Sequence, residues 1–478
     1  MTFDVLIIGA GVTGCAIARE LSRHDIKTAV IDKNDDVSMG TSKANSAIVH
    51  AGYDAKPGTM KARMNMLGNP MFDALSRELD FPFKRNGSLV LCFDDPSRSE
   101  LEKLKTRGEG NGVPGLEIID RKELLAMEPH IGSKVLSALF APTGGIVCPY
   151  EMTIALAENA AVNGVSFYLG RLVTGIERTE NVFTVTTGNG VFKSRVLINA
   201  AGVFADDIHN MLSADKVHII PRSGQYILMD KNVGGLARHT LFQLPNEMGK
   251  GVLVTPTVDG NLLLGPTAVD IDDKNNTATK REQFEDIIRV AGMSMDHLPL
   301  RQVITSFTGL RAHSTTDDFM IAPVPDVPGM IDVAGIESPG LTSAPAIGAY
   351  VRDLVGECIP LPVNKNFISY REGIARFRDM DIDERNKRIK DNPAYGHIVC
   401  RCETISEAEI VCAIHRPLGA KDIDAVKRRT RAGMGRCQGG FCSPQVAAIL
   451  SRELDIPMTD VMKSGPDTPI LVGKNKEI

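Results

Sequence analysis

The chain has 478 residues, 43% of them hydrophobic and 24% charged, with a formal net charge of -5. One hydrophobic core does not serve a chain of that length, so two or three domains are expected. The acidic balance argues against a nucleic-acid partner, which would demand a clustered positive excess; the run "KRRTR" from Lys427 to Arg431 is the local exception.

No apolar stretch is as long as a membrane span. Nine cysteines, an odd number, with no signal-peptide pattern read as reduced thiols rather than a disulfide framework, so a cytoplasmic location is expected. Attachment at the inner face of a membrane is left open.

In chain order, "FDVLII" predicts a strand over 3–8, followed by a glycine-rich turn and a helix from about Thr13 to His24. "KTAVID" predicts a second strand ending on Asp32. Continuous apolar runs of this kind suit parallel strands buried on both faces. "RVLINAAG" (195–202) and "MIDVAGIE" (330–337) are further strands ending in small residues, which makes the nucleotide-binding domain discontinuous. Between them, "GQYILMD", "GVLVTPT" and "NLLLGPT" suit an antiparallel sheet in a second domain.

The division expected is 1–75, 145–215 and 325–364 for the nucleotide domain and 76–144 and 216–324 for the substrate domain. Residues 365–395 read as a charged, solvated helical linker, and 396–478 as a small cysteine-bearing domain. The fold class is α/β, with a Rossmann-like domain, an antiparallel-sheet domain and a small C-terminal module.

Gly9, Gly11 and Gly14 form GxGxxG between a predicted strand and helix. The first glycine suits a tight turn, the second a close approach to a pyrophosphate, and the third close helix packing. The helix N-terminus offers unpaired N–H groups to the anion. Asp32 stands where a carboxylate would hold a ribose.

Near the other end, Cys400 and Cys402 form CxC, and Cys437 and Cys442 form CxxxxC. Four thiolates suit either tetrahedral zinc or an iron–sulfur cluster. The adjacent basic run reads either as a solvated helix face or as positive charge offsetting the thiolates, the second being favoured.

"GTSKANSAIVHAGYD" (40–54) resembles the glycine-oxidase-like (D-amino-acid oxidase) superfamily of FAD proteins. "RSGQYILMD", "GKGVLVTPTVDGNLLLGPTA", "SFTGLRA" and "ESPGLTSAPAIG" are similar to the shorter bacterial glycerol-3-phosphate oxidases and dehydrogenases, over roughly residues 1–360. "HIVCRCETISEAEI" with "KRRTRAGMGRCQGGFC" resembles the bacterioferritin-associated-ferredoxin type of 2Fe–2S domain. That domain lies at the C-terminus of the anaerobic glycerol-3-phosphate dehydrogenase large subunit.

These resemblances imply FAD and a 2Fe–2S cluster on the four cysteines, zinc being the alternative. The family more often has Glu where this chain has Asp32. FAD is expected against Gly9, Gly11, Gly14, Asp32, Thr41, Ser42, Val173, Ala201, Gly202, Gly340, Leu341 and Thr342. His50 is expected to take a substrate hydroxyl proton, and Arg311 to grip the substrate anion with its planar fork. Ser46, Lys250 and Ser343 are expected to line the same pocket, and His313 to face solvent. A helix beginning at Gly340 would bring its positive end to the flavin.

The activity implied is oxidation of sn-glycerol 3-phosphate to dihydroxyacetone phosphate, with electrons relayed through the 2Fe–2S cluster. The acceptor would be external: a ferredoxin, a quinone or a partner subunit. An L-2-hydroxyglutarate or related 2-hydroxy-acid dehydrogenase is the second reading, because "NSAIVHAGYDAKPGTMKA" is also similar to that group. A non-catalytic electron carrier or iron–sulfur scaffold is the third.

Overall fold

The computed structural model describes residues 1–244, 251–473 and 475. The chain opens with β1 (Thr2–Ile8), α1 (Val12–Leu21) and β2 (Thr28–Ile31). Further along come β3 (Ser166–Tyr168), β4 (Gly190–Asn199), β5 (Ile219–Met229), β6 (Val303–Ser314), β7 (Met330–Ala334) and α2 (Gly340–Cys358). The parallel part of the first sheet runs β7-β4-β1-β2-β3. An antiparallel hairpin, Val173–Thr179 with Val182–Thr187, pairs with β4.

The central strands are apolar on both faces because both are covered. Val5, Ile7, Val30 and Ile198 pack with α1 and α2 on one side. Leu6, Ile8, Ile31 and Leu197 meet Phe183 and Phe192 on the other. This double burial fits strands read as unbroken hydrophobic runs.

The second sheet is mainly antiparallel and contains the long pair β5 and β6, in which Arg222 faces Arg311 and Tyr226 faces Phe307. Its core of Leu89, Ile227, Leu241, Val254 and Leu264 is separate from that of the first sheet. A third core, including Val399, Ile410, Val426, Val446 and Leu450, closes the C-terminal module around the paired strands Ile398–Cys400 and Ile405–Ser406.

Two expected boundaries shift. A cut after residue 75 falls inside the helix Phe72–Leu79, whose Leu75 and Leu79 belong to the core under α1. Met320–Pro323 pairs with β7, so the first sheet recruits chain before residue 325.

The charged 365–395 segment is not a solvated helix throughout. Only Ile382–Asp391 is α-helical, with a capping box between Asp381 and Glu384. Before it, Arg371 binds Glu158 at 2.5 Å, Arg376 binds Glu151 at 2.8 Å and Arg378 binds Asp259 at 2.6 Å. The cations there fasten the strap to the two larger bodies instead of facing water.

Candidate functional site

The turn between β1 and α1 shows why glycine is needed there. Gly9 has φ +112, and a Cβ on it would lie 2.3 Å from the Ala200 carbonyl oxygen. A Cβ on Gly14 would lie 1.9 Å from the Gly9 carbonyl oxygen, so α1 can approach its own strand only without a side chain at that position. Gly14 therefore sits behind the loop, whereas Gly9 and Gly11 line a cavity of about 940 Å³. That is the upper part of the range for ligand pockets.

Asp32 closes the loop from below. Its Oδ2 accepts the Ala10 N–H at 2.7 Å, and its Oδ1 accepts the Asn34 N–H at 2.8 Å. Burial raises its pKa above the usual carboxylate range, partly offset by those N–H donors.

The segment after β2 ties the cavity together. Ser42 Oγ accepts the Val12 N–H at 2.9 Å at the start of α1. Thr41 Oγ1 donates to the Leu310 carbonyl at 2.5 Å, joining this wall to the strand that carries Arg311. Val173, Ala201 and Gly202 line the same cavity, as do Gly340 and Leu341 at the N-terminus of the 19-residue helix α2.

Ser46, His50 and Arg311 line it as well. His50 follows the short strand Ile48–Val49 and is 8% exposed. Its N–H donates to Thr342 Oγ1 at 2.8 Å, and its carbonyl accepts from Asn69 Nδ2 at 2.7 Å. Its ring Nε2 lies 3.4 Å from Ser338 Oγ, and the ring packs 5.4 Å from that of Phe242.

Arg311 Nη2 donates to the Thr267 carbonyl at 2.8 Å. Its Nε is buried with no hydrogen-bond partner among the described residues. An unpaired buried donor costs about 1–3 kcal/mol.

Three expectations need adjustment. Thr342 and Ser343 are fully buried and do not line the cavity; Thr342 orients His50, and Ser343 Oγ donates to the Pro339 carbonyl at 3.1 Å within its own helix. The helical turn that follows Gly340 points them inward, so a direct substrate contact for Ser343 is not supported. His313 does not face solvent: its Nδ1 lies 3.0 Å from Glu337 Oε1, and its side chain is 15% exposed. Lys250 lies outside the described residues.

Tyr226 was missed. Its hydroxyl lies 3.2 Å from Ser46 Oγ, and its ring stacks on Phe307 at 4.9 Å. The signal was present: in "RSGQYI" the alternation puts Arg222, Gly224 and Tyr226 on one face of β5, opposite Arg311 and Phe307. Arg222 also lines the cavity and holds Asp270 at 2.6 and 3.0 Å.

The four C-terminal cysteines meet as two pairs. Cys402 and Cys437 lie 3.7 Å apart, and Cys400 shares a hydrogen bond with Cys442. Cys400 is held down at about 6 by the Cys442 thiol and, against burial, by the N–H groups of Gly433 and Glu403. Two thiol pairs fit a dinuclear centre with two thiolates per iron, and N–H groups aimed at sulfur suit a thiolate set.

The basic run is not a solvated helix face. Lys427 to Thr430 form the end of α3 (Ile423–Thr430), Arg431 caps it, and Arg428, Arg429 and Arg431 are buried. Arg429 holds both oxygens of Asp36, at 2.7 and 2.8 Å, and Arg428 adds a third contact at 2.6 Å. Arg431 binds Glu403, Asp259, Asn261 and the Tyr150 hydroxyl. These residues clamp the C-terminal module onto the loop just after Asp32 and onto the second sheet. A local charge count cannot show that Asp36 lies about 400 positions away from Arg428 and Arg429.

The comparisons agree with this geometry. Residues 4–354 match the family model "FAD dependent oxidoreductase", and residues 398–452 match "BFD-like [2Fe-2S] binding domain". The chain is 52% identical over 475 residues, 99% of each chain, to a glycerol 3-phosphate dehydrogenase of Caloramator mitchellensis. It is 35% identical to a glycerol 3-phosphate oxidase of Mycoplasma genitalium, covering 76% of this chain and 97% of that one. An L-2-hydroxyglutarate dehydrogenase of Indibacter alkaliphilus is 30% identical over 60% of this chain and 71% of its own.

Among solved structures, the FAD-bound L-alpha-glycerophosphate oxidase of Mycoplasma pneumoniae superposes with a TM-score of 0.74 at 31% identity. That match covers 77% of this chain and 98% of the other. FAD and a 2Fe–2S cluster are thus the cofactors these sites take. The glycine turn, a cavity of adequate size and a paired four-thiol set are the residues that fit them. The chain belongs to the FAD dependent oxidoreductase family and carries a BFD-like [2Fe-2S] binding domain at its C-terminal end.

Proposed function

We propose that the protein oxidises sn-glycerol 3-phosphate to dihydroxyacetone phosphate as a dehydrogenase. The observation that carries this reading is that Arg311 lines the same cavity as His50, so a cation and a candidate proton acceptor share one site. A planar guanidinium in that position suits a phosphate. The likeness to a glycerol 3-phosphate dehydrogenase along 475 residues supports the same substrate.

When bound, FAD accepts the hydride equivalent and the 2Fe–2S cluster passes electrons on singly. The chain's own residues do the rest. Arg311 holds the phosphate, and Thr267 fixes its guanidinium from behind. His50 accepts the proton of the reacting hydroxyl; its backbone is pinned by Thr342 and Asn69, while Ser338 and Phe242 flank its ring. Tyr226 and Ser46, hydrogen-bonded to each other, line the cavity as a polar pair for the remaining hydroxyl. The N-terminus of α2 at Gly340 lines the cavity and would turn its positive end toward a bound FAD.

We assign the FAD contacts to Gly9, Gly11, Asp32, Thr41, Ser42, Val173, Ala201, Gly202, Gly340 and Leu341, and the cluster to Cys400, Cys402, Cys437 and Cys442. The domain division read from the sequence stands as a proposal with the two boundary shifts given above. No helix among the described residues is long and apolar enough to cross a membrane.

The test is anaerobic mixing of the holoenzyme with glycerol 3-phosphate or with 2-hydroxyglutarate. Glycerol 3-phosphate is expected to bleach the flavin much faster. Preference for 2-hydroxyglutarate would transfer the Arg311 role to a carboxylate and overturn the substrate assignment.

A further inference from the structure

The four cysteines have an inside and an outside. Cys400 is 1% exposed and Cys442 3%, whereas Cys402 is exposed and Cys437 half-buried. The inner side is locked to the rest of the protein: Glu403, next to Cys402, is buried under Lys231, Arg378 and Arg431, and Tyr150 donates to Met434 Sδ at 3.4 Å.

The outer rim is different. The Phe441 N–H donates to Cys437, yet its side chain projects into solvent and the residue is 86% exposed, the highest exposure of any phenylalanine among the described residues. Burying such a ring stabilises by about 2–3 kcal/mol, so leaving it in water on a fixed loop beside a redox centre is a cost without a return inside this chain.

Its charged neighbours along the chain leave Arg401 as the exposed cation with no ion-pair partner among the described residues, while Arg436 is paired with Asp230. Along 400–404 and 432–445 the exposed charged residues are Arg401 and Arg436, and the single acid, Glu403, is buried. Arg436 is fastened to Asp230 at 3.1 Å and to Gln302, so that cation is held in place.

We propose that the rim formed by Phe441, Arg401 and Arg436 is the docking surface for a small acidic one-electron carrier protein, with Phe441 as its apolar anchor and the Cys402–Cys437 edge as the exit. An exposed aromatic anchor with an unpaired cation, Arg401, on the neighbouring cysteine loop is the pattern of an electrostatically steered, transient interface. This rests on the dehydrogenase reading. Each glycerol 3-phosphate oxidised to the ketone releases two electrons and two protons. Two carrier molecules therefore take one electron each, and the protons go to solvent.

The test is stopped-flow mixing of holoenzyme, reduced with dithionite and freed of excess reductant anaerobically, with an oxidised acidic plant-type ferredoxin. Ferricyanide, basic cytochrome c and quinone-loaded vesicles serve as comparison acceptors, and equilibrium binding of the oxidised ferredoxin is measured alongside. Because dithionite supplies the electrons, the result does not depend on the identity of the substrate.

F441A is expected to slow ferredoxin reduction and weaken its binding by about tenfold or more, as loss of an interface anchor does, while leaving ferricyanide reduction unchanged. R401Q is expected to lower the association rate and to flatten its dependence on ionic strength. Unchanged ferredoxin kinetics in both variants would overturn the proposal, as would ferredoxin binding no tighter than that of cytochrome c. Quinone vesicles served faster than ferredoxin, with the same Phe441 dependence, would overturn it in favour of a membrane acceptor. Equal loss toward ferricyanide and ferredoxin would also overturn it, by showing that Phe441 supports the cluster itself.

Discussion

The FAD cavity and the cysteine module are built on opposite principles. The cavity is assembled from backbone and from side chains scattered between Ile8 and Leu341, and its floor is shaped by the absence of Cβ atoms. The module is made by four side chains of one kind, on two short loops, within a core of its own. The first can lose one contact and still hold a large ligand through many others, whereas the second stands or falls with each thiolate. The two meet through buried arginines and through Leu418, which packs against the first core.

The largest effect is expected where they join. Asp36→Ala removes the carboxylate that Arg428 and Arg429 share and leaves two buried cations unpaired. The docked C-terminal module should be destabilised by about 3–5 kcal/mol. Hydrogen exchange should show protection falling along Ile423–Thr430 while the strands Thr2–Ile8 and Gly190–Asn199 keep theirs. Uniform loss across both would mean that the two regions are one cooperative unit.

His50→Asn comes next. It should slow flavin bleaching by glycerol 3-phosphate by roughly a hundredfold or more with little change in substrate affinity, as loss of a general base does. Iron content should stay the same. Bleaching at the wild-type rate would remove His50 from the chemistry.

Arg311→Lys keeps the charge but loses the fork. Binding of glycerol 3-phosphate should weaken by about 1.5–3 kcal/mol, while glycerol, which lacks the phosphate, should barely respond. Equal losses for both would make Arg311 an organiser of the cavity instead.

The smallest effect is in pH. Burial opposes ionisation of Asp36, but Arg429 and Arg428 outweigh it and hold its pKa at about 2. A depressed carboxylate stabilises the folded state above its unfolded pKa near 4 and loses that contribution as pH falls through about 2. On the order of 2 kcal/mol of docking should therefore disappear between pH 4 and 2. In Asp36→Ala that acid transition should be absent.

How much the sequence disclosed follows the same division. Cys400, Cys402, Cys437 and Cys442 could be read from spacing because a thiolate set is specified by residue type. The turn at Gly9, with Asp32 after it, was legible because strand, glycines and acid occur within one βαβ unit. Ser343 was misplaced because a helix start fixes which residues approach a ligand, and the turns after Gly340 send Thr342 and Ser343 inward. Tyr226 was overlooked because its role appears only when β5 is set beside β6. The arginines at 428, 429 and 431 were misread for a related reason: local composition shows a charge run, but only tertiary contact shows that Asp36, Asp259 and Glu403 bury it.

The central claim, that one chain couples a substrate-reducible flavin to its own 2Fe–2S cluster, is tested most directly by anaerobic titration of purified holoenzyme with glycerol 3-phosphate. Flavin absorbance, the iron–sulfur signal and metal content would be followed together, in wild type and Cys437→Ser. The wild type should bleach its flavin, develop a reduced-cluster signal and contain about two irons per chain. Cys437→Ser should bleach its flavin alone. Stoichiometric zinc with no iron, or a flavin that bleaches while an intact cluster stays oxidised, would contradict the account.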